Sequence, residues 1–194
     1  MVNVNEIFTR EEFDNIVRRM SGESYFPNVL NESRSYREAK PGYKTIFLSH
    51  SHFDASYVLK TRKFFENLGI KIYVDWADES MPEQTSGVTA TKIKEKIRGN
   101  NFFVFLATDR SIISKWCNWE VGYGDSYKYS DDKVNNKILV LPLASNRRAW
   151  EGNEYLQLYP YVIHRKEGYA YPTENFYVRY PDGTEESLYS WLNR

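Results

Sequence analysis

The chain lacks several features that mark common classes of protein. Cys117 is the only cysteine among 194 residues, so no intrachain disulfide can form, and Cys₂ and Cys₄ zinc sites are excluded. A lone cysteine without a signal-peptide pattern is typical of a reducing compartment, and we expect a cytoplasmic protein. The longest apolar runs, residues 102–107 and 138–144, are far shorter than the roughly 20 residues that span a bilayer.

An excess of charge is also absent. The sequence balances 26 Lys and Arg against 26 Asp and Glu, a formal net charge of +0. Because nucleic acids and anionic membranes attract cationic surfaces, this balance argues against either as the main partner. With 3 histidines and 1 cysteine, we predict no metal site. The chain is instead rich in aromatic side chains, with 16 Tyr, 11 Phe and 5 Trp.

Three familiar motifs are missing as well. The sequence has no G-x-x-x-x-G-K-[ST], no G-x-G-x-x-G after its first predicted strand, and no G-x-S-x-G. The first absence excludes a P-loop, and the second removes the usual signature of a dinucleotide-dependent dehydrogenase. The third excludes the nucleophile elbow of α/β-hydrolases.

The hydropathy pattern divides the chain into an amino-terminal extension, a central part and a carboxyl-terminal extension, which are residues 1–42, 43–145 and 146–194. The first extension opens with a predicted helix. Thr9 and Glu12 have the spacing of a capping box, and Phe8 and Phe13 have that of a hydrophobic staple.

The central part alternates predicted strands with predicted helices. The strands cover residues 45–49, 71–75, 101–107 and 137–143, and the helices cover residues 54–68, 89–98 and 114–127. Such alternation predicts an α/β fold, with a central parallel sheet and helices on both faces. In folds of this kind, ligands bind beyond the carboxyl ends of the strands.

The carboxyl-terminal extension is expected to pack on the core. Residues 176–180 are predicted to form a strand, followed by a turn at Pro181-Asp182-Gly183. Thr184 is predicted to cap a last helix with acidic residues in its first turn. The apolar residues of that helix are Leu188, Trp191 and Leu192.

Polar and aromatic residues stand where the predicted strands end. They are Ser49, His50 and Ser51 after the first strand, Asp75 and Trp76 after the second, and Trp116 to Glu120 in the helix after the third. Trp116 and Glu120 are four residues apart, so they share one helix face. A carboxylate beside an indole suits the binding of a sugar and a base.

Three motifs, taken together, resemble a known family. They are Ile46-Phe47-Leu48-Ser49-His50-Ser51 with Asp54 nearby, the loop Met81-Pro82-Glu83-Gln84-Thr85-Ser86 running into Thr89-Ala90, and Ser114-x-Trp116-Cys117-x-x-Glu120. In this order and spacing, residues 44–145 resemble a bacterial TIR (Toll/interleukin-1 receptor) domain. The resemblance implies a flavodoxin-like α/β fold for the central part, and it leaves both extensions outside.

The resemblance also implies an enzyme. The glutamate of the third motif is the catalytic residue of an NAD⁺ glycohydrolase in this family, which carries over to Glu120. The tryptophan of the same motif lines the nicotinamide side of the site, which carries over to Trp116. The loops after the first two strands border the dinucleotide, which carries over to Ser49, His50, Ser51, Asp75 and Trp76. NAD⁺ is then the substrate, and no separate cofactor is implied.

The chain resembles, more narrowly, the TIR subunits of antiphage systems such as Thoeris. Those proteins convert NAD⁺ to nicotinamide and an ADP-ribose-type product that is often cyclic or conjugated. The product activates a partner effector protein. The resemblance therefore implies an NAD⁺ nucleosidase or ADP-ribosyl cyclase in bacterial antiviral defence, an effector partner, and a possible homo-oligomer formed through TIR–TIR contacts.

Two other functions fit the same pattern. TIR domains also act as non-catalytic adaptors through protein–protein contacts, and a flavodoxin-like fold also hosts hydrolases or transferases that act on nucleosides. For an adaptor, Glu120 would be a solvated helix residue and Trp116 a packing residue.

Two further residues have alternative interpretations. Cys117 is either a nucleophile, with His50, His52 or His164 as its base, or a small buried hydrophobic residue. Asp54 is either a ligand-binding residue or a helix N-cap.

Overall fold

The structure, a computed structural model, describes residues 6–22, 44–74, 86–145, 153–165 and 175–194. The strands of these residues are β1 (Phe8–Thr9), β2 (Thr45–Ser49), β3 (Lys71–Tyr73), β4 (Phe102–Thr108), β5 (Ile138–Ala144), β6 (Tyr161–His164), β7 (Phe176–Arg179) and β8 (Glu185–Ser187). The helices are α1 (Arg10–Ser21), α2 (Ala55–Asn67), α3 (Gly87–Gly99), α4 (Lys115–Lys128) and α5 (Leu188–Leu192), with 3₁₀ turns at His52–Asp54 and Glu154–Leu158.

The strands form a single mixed sheet in the order β3-β2-β4-β5-β6-β7-β8, and β1 pairs with β5. The strands from β2 to β6 pair in parallel, while β7 and β8 are antiparallel. The prediction of a flavodoxin-like α/β fold with a central parallel sheet is confirmed.

Helices cover both faces of this sheet, as β4 shows most clearly. Every residue of β4 is buried, and successive side chains point to opposite faces. Phe102, Val104 and Leu106 join an apolar cluster with α1, α2 and α5. Phe103 and Phe105 join a second cluster with α3 and α4. A strand that is apolar at every position before its last residue, Thr108, is typical of a sheet buried on both sides.

The amino-terminal helix forms as its sequence predicts. Glu12 N–H donates to the Thr9 hydroxyl at 3.2 Å, and Thr9 N–H donates to the Glu12 carboxylate at 3.1 Å, so the capping box is confirmed. The rings of Phe8 and Phe13 pack edge to face with centroids 5.7 Å apart. The strand pair of Phe8 with Leu143 attaches this helix to the central sheet.

Other predicted elements differ from the structure by one or two residues at their ends. Helix α2 ends at Asn67, close to Gly69, whose positive φ of 81° favours glycine. Strand β3 ends at Tyr73, two residues before the predicted end. The predicted loop over residues 77–87 lies mostly outside the described residues, and α3 begins at Gly87.

One prediction for the carboxyl-terminal region is wrong. Thr184 does not cap a helix, because the next residues, Glu185–Ser187, form strand β8 against β7. The α5 helix begins only afterwards, where the Ser187 hydroxyl accepts from Ser190 N–H at 3.0 Å. Pairing with β7 and the ion pair between Glu185 and Arg179 outweigh the local signal for a helix.

The sheet extends across both predicted domain boundaries. Strand β6, which the sequence pattern did not predict, pairs with β5 at Val140 and Tyr161. The predicted boundaries at residues 42 and 145 stay predictions. The residues Leu188, Trp191 and Leu192 of α5 are buried, as expected. Among the helices that the structure describes, none has the length and apolar character needed to cross a membrane.

Candidate active site

The candidate site is centred on Glu120 in the second turn of α4. This helix begins after Ser114, whose hydroxyl accepts from Cys117 N–H at 3.3 Å. Only 3% of Glu120 is exposed. A carboxylate is rarely buried to this extent unless hydrogen bonds compensate for its lost hydration.

The Ser49 hydroxyl provides such a hydrogen bond. Its Oγ donates to Oε2 of Glu120 at 2.6 Å, and Ser49 is itself buried. Ser49 is the last residue of β2, so the contact lies at the carboxyl edge of the parallel strands. The one proton of the Ser49 hydroxyl is directed at the carboxylate, which fixes the orientation of Glu120.

His50 and Ser51 hold the backbone that follows β2. Nδ1 of His50 lies 2.9 Å from the carbonyl oxygen of Leu48. Because a carbonyl only accepts, this contact requires the hydrogen to be on Nδ1. The Ser51 hydroxyl accepts from Phe53 N–H at 3.4 Å and caps the 3₁₀ turn. His50 directly follows Ser49, whose hydroxyl donates to the Glu120 carboxylate, so the backbone that these contacts hold is the one that carries Ser49.

Cys117 has the geometry of a packing residue. It is buried, and its Sγ donates to the carbonyl oxygen of His50 at 3.2 Å. A backbone carbonyl cannot take up the thiol proton as an imidazole would. His52 is exposed, and His164 lies at the other cluster, with its ring 5.2 Å from that of Phe176. These contacts favour the hydrophobic role for Cys117 over the nucleophilic one.

Asp54 belongs to a buried network at the end of β4. Its Oδ2 accepts from the Thr108 hydroxyl at 2.5 Å, and Thr108 Oγ1 accepts from Ser111 N–H at 3.0 Å. Asp54 occupies the N-cap position of α2 but makes no capping hydrogen bond with its side chain. The Arg110 guanidinium donates to the carbonyl oxygen of Phe53 at 2.8 Å. This network joins the segments that follow β2 and β4.

Trp116 lies one turn before Glu120 and is partly buried. Its ring centroid is 5.1 Å from that of Trp119, which lies 6.1 Å from the ring of Tyr123. The Lys94 ammonium of α3 is 5.8 Å from the Trp119 ring centroid, within range of a cation–π contact. Trp119 lies in the stretch of polar and aromatic residues predicted at the strand ends but was assigned no role there, although its i, i+3 spacing from Trp116 is the signal that places the two indoles together.

The described residues bring together only part of the predicted site. Ser49, His50 and Ser51 lie at the end of β2, and Ser49 meets Glu120 directly. Asp75 and Trp76 lie outside the described residues. Within the described ranges, no group of three or more His, Cys, Asp and Glu side chains is placed to hold a metal ion. A crevice of about 170 Å³ between Tyr129 and Tyr180 lies at the opposite edge of the sheet, away from Glu120.

A second set of residues absent from the sequence prediction flanks α4 on the side away from α3. The Tyr155 hydroxyl donates to Oδ1 of Asn118 at 2.6 Å, and the Tyr159 hydroxyl donates to Asp125 at 2.8 Å. Burial raises the pKa of the Tyr155 hydroxyl, although the hydrogen bond from Asn153 opposes the increase and the nearby Cys117 adds to it.

One family model and two known proteins match parts of this chain. A family model described as TIR domain matches residues 46–169. A protein of Bacillus cereus (strain MSX-D12) named probable 3' cyclic ADP-D-ribose synthase ThsB' is 31% identical over 171 residues, which cover 82% of this chain and 84% of that protein. A protein of Cytobacillus dafuensis named putative cyclic ADP-D-ribose synthase TIR2 is 37% identical over 81 residues, which cover 40% of this chain and 21% of that protein.

Proposed function

Because this chain belongs to the TIR-domain family, we propose that it cleaves the nicotinamide–ribose bond of NAD⁺ and forms an ADP-ribose-derived signal. The observation that carries the proposal is the buried Glu120 carboxylate, which the Ser49 hydroxyl holds 2.6 Å away at the carboxyl edge of the sheet. The two relatives are named as a probable and a putative cyclic ADP-D-ribose synthase, which favours a cyclic product and does not favour a non-catalytic adaptor.

One carboxylate suffices for this reaction. Nicotinamide leaves as a neutral base and takes the electron pair of its bond to ribose, so the leaving group needs no general acid. Ordinary glycosides differ, since their leaving oxygen must be protonated by one of two carboxyl groups. Glu120 is then free to hold the ribose hydroxyls and to stabilise the positive charge that develops on the sugar.

Trp116 is proposed to orient the nicotinamide ring. A tryptophan ring offers a flat apolar face and a negative quadrupole, both of which suit a cationic pyridinium. Its contact with Trp119 limits the positions that the Trp116 ring can take. His50, Ser51, Asp75 and Trp76 remain proposed binding residues on the strength of the family resemblance.

The acceptor determines the product. If a hydroxyl of the same ADP-ribose attacks the anomeric carbon, a new C–O bond replaces the C–N bond, and the hydroxyl proton is released. If water attacks, the product is linear ADP-ribose. By likeness to Thoeris-type TIR subunits, we propose that the product acts in antiphage defence through an effector protein, and that the chain forms a homo-oligomer.

Mass spectrometry of the products tests this proposal. Purified wild-type protein is incubated with NAD⁺. Cells that express the protein are challenged with phage, and the nucleotides from both samples are separated. We expect nicotinamide together with a product lighter than ADP-ribose by one water. ADP-ribose alone would contradict the cyclic product, and unchanged NAD⁺ under both conditions would contradict the enzyme. Release of free base from nucleosides with NAD⁺ intact would favour a nucleosidase.

A further inference from the structure

The segment of residues 153–159 lies along the flank of α4 opposite to α3. Asn118 and Asp125 are seven residues apart, two helical turns, so both face this segment. Tyr155 bonds to Asn118 in the first turns of the helix, and Tyr159 bonds to Asp125 near its far end. The same segment contributes Leu156 to the apolar cluster that contains Cys117 and Val121 of α4.

A second set of hydrogen bonds joins this segment to the entry of α4. The side-chain amide of Asn153 donates to the carbonyl oxygen of Ile112 at 2.8 Å, and Asn118 donates to the same oxygen at 3.2 Å. The Asn153 amide also lies 3.2 Å from the Tyr155 hydroxyl. Two segments more than 30 residues apart are therefore tied together where the helix begins.

These contacts surround the helical turns that carry the carboxylate. Asn118 follows Cys117, which bonds to the His50 carbonyl, and it precedes Glu120 by two residues. On the opposite flank, Lys94 of α3 contacts the Trp119 ring. The orientation of this part of α4 is thus fixed from two sides, by a cation–π contact and by a hydrogen-bonded cluster.

We propose that Tyr155 is a positioning residue for Glu120, and that it acts through Asn118 to fix the first turns of α4. The inference rests on the proposed cleavage of NAD⁺. The hydrogen bonds named above join the segment after β5 to no predicted substrate-binding residue. The proposal gives this segment a part in setting the geometry of the reaction. Small displacements of a catalytic group lower the rate strongly, so a brace of this kind affects kcat more than KM.

The test compares two Tyr→Phe variants on the same helix flank. Tyr155→Phe removes only the hydroxyl that bonds to Asn118, and we expect kcat for NAD⁺ cleavage to fall about tenfold with KM within about twofold of wild type. Tyr159→Phe removes the matching bond to Asp125, and we expect kcat within about twofold of wild type. Equal losses of kcat in the two variants, or no loss in either, would overturn the proposal.

A double variant tests whether Tyr155 acts through Asn118. If it does, Tyr155→Phe combined with Asn118→Ala lowers kcat no further than Asn118→Ala alone. Losses that multiply would mean that Tyr155 acts by another route, and would overturn the proposal.

Hydrogen–deuterium exchange separates this inference from the proposed activity. Tyr155→Phe is expected to increase exchange about tenfold in the amides of residues 118–121, whereas Tyr159→Phe leaves those amides at the wild-type rate. If wild-type protein leaves NAD⁺ intact, the proposed function fails, and this measurement still decides whether Tyr155 holds the helix. Identical exchange in both variants would contradict the brace.

Discussion

The Ser49 hydroxyl donates a 2.6 Å hydrogen bond to the Glu120 carboxylate, although the two residues are 71 positions apart in the chain. Ser49 ends a central strand, and Glu120 lies in the helix that packs over the neighbouring strand. The carboxylate is therefore oriented by the sheet as well as by its own helix. An orientation fixed in advance is what electrostatic stabilisation of a charged transition state requires.

Removal of this hydroxyl tests its contribution. In Ser49→Ala, the buried carboxylate loses a donor, so we expect the free energy of unfolding to fall by about 1–3 kcal/mol and the rate of NAD⁺ cleavage by about tenfold. Ser126→Ala is the matched control, because Ser126 is an exposed residue of α4 whose hydroxyl bonds to the carbonyl oxygens of Gly122 and Tyr123 in its own helix. Urea unfolding and initial rates measure both effects. A Ser49→Ala protein with the rate and stability of wild type would contradict the assigned role.

The close approach of α4 to the sheet depends on Gly124. A Cβ atom at this position would lie 2.8 Å from Cδ2 of Phe103, whereas one at Gly122, on the exposed side of the same helix, would meet no atom of the described residues within 4 Å. We therefore expect Gly124→Ala to destabilise the protein by about 1–3 kcal/mol, since the Phe103 ring must move.

Gly122→Ala is the control for that substitution. It raises the helix propensity without a clash, and we expect it to stabilise the protein by up to about 1 kcal/mol. Thermal or urea unfolding measures the stability of the two variants. A Gly124→Ala protein as stable as Gly122→Ala would show that the helix does not pack as described.

Tyr159 makes the stability of the fold sensitive to alkaline pH. Burial, followed by its hydrogen bond to Asp125, raises the pKa of its hydroxyl well above the ordinary value of 10.0. Below pH 10 both the folded and the unfolded chain keep this proton, and the full stability is present. Above pH 10 the unfolded chain releases it while the folded chain retains it, so stability falls by up to about 1.4 kcal/mol per pH unit.

In Tyr159→Phe, the fall of stability above pH 10 is expected to be shallower by up to about 1.4 kcal/mol per pH unit. Urea unfolding between about pH 9 and pH 11, the range in which free tyrosine titrates, measures how the free energy of unfolding changes with pH. Equal slopes in wild type and Tyr159→Phe would contradict the raised pKa.

Local signals in the sequence predicted the fold well. The capping box of Thr9 and Glu12 marked the start of α1, and the uninterrupted apolar run of β4 marked a strand buried on both faces. These features depend on neighbouring residues alone, which is why they could be read from the sequence. The prediction at Thr184 failed because pairing with β7, a partner set by tertiary structure, decided the conformation of the next residues.

The candidate site was predicted only in part, for the same physical reason. The spacing of Trp116 and Glu120 placed both on one helix face, and the family resemblance pointed to Glu120. The pairing of Glu120 with Ser49 and the contact of Asn118 with Tyr155 join distant segments, and no periodicity in the sequence reports such contacts. The predicted roles of His50, Ser51, Asp75 and Trp76 toward substrate stay predictions.

The Glu120 carboxylate is proposed to drive the cleavage of NAD⁺. The most direct test is the rate of nicotinamide release by wild type, Glu120→Gln and Glu95→Gln, in which the last removes the charge of an exposed glutamate on α3. The amide of Glu120→Gln keeps the shape of the side chain and an acceptor for Ser49, so the fold is preserved while the charge is lost. We expect Glu120→Gln to lower the rate by at least about a hundredfold and Glu95→Gln to leave it unchanged. A Glu120→Gln protein that releases nicotinamide as fast as wild type would contradict the account.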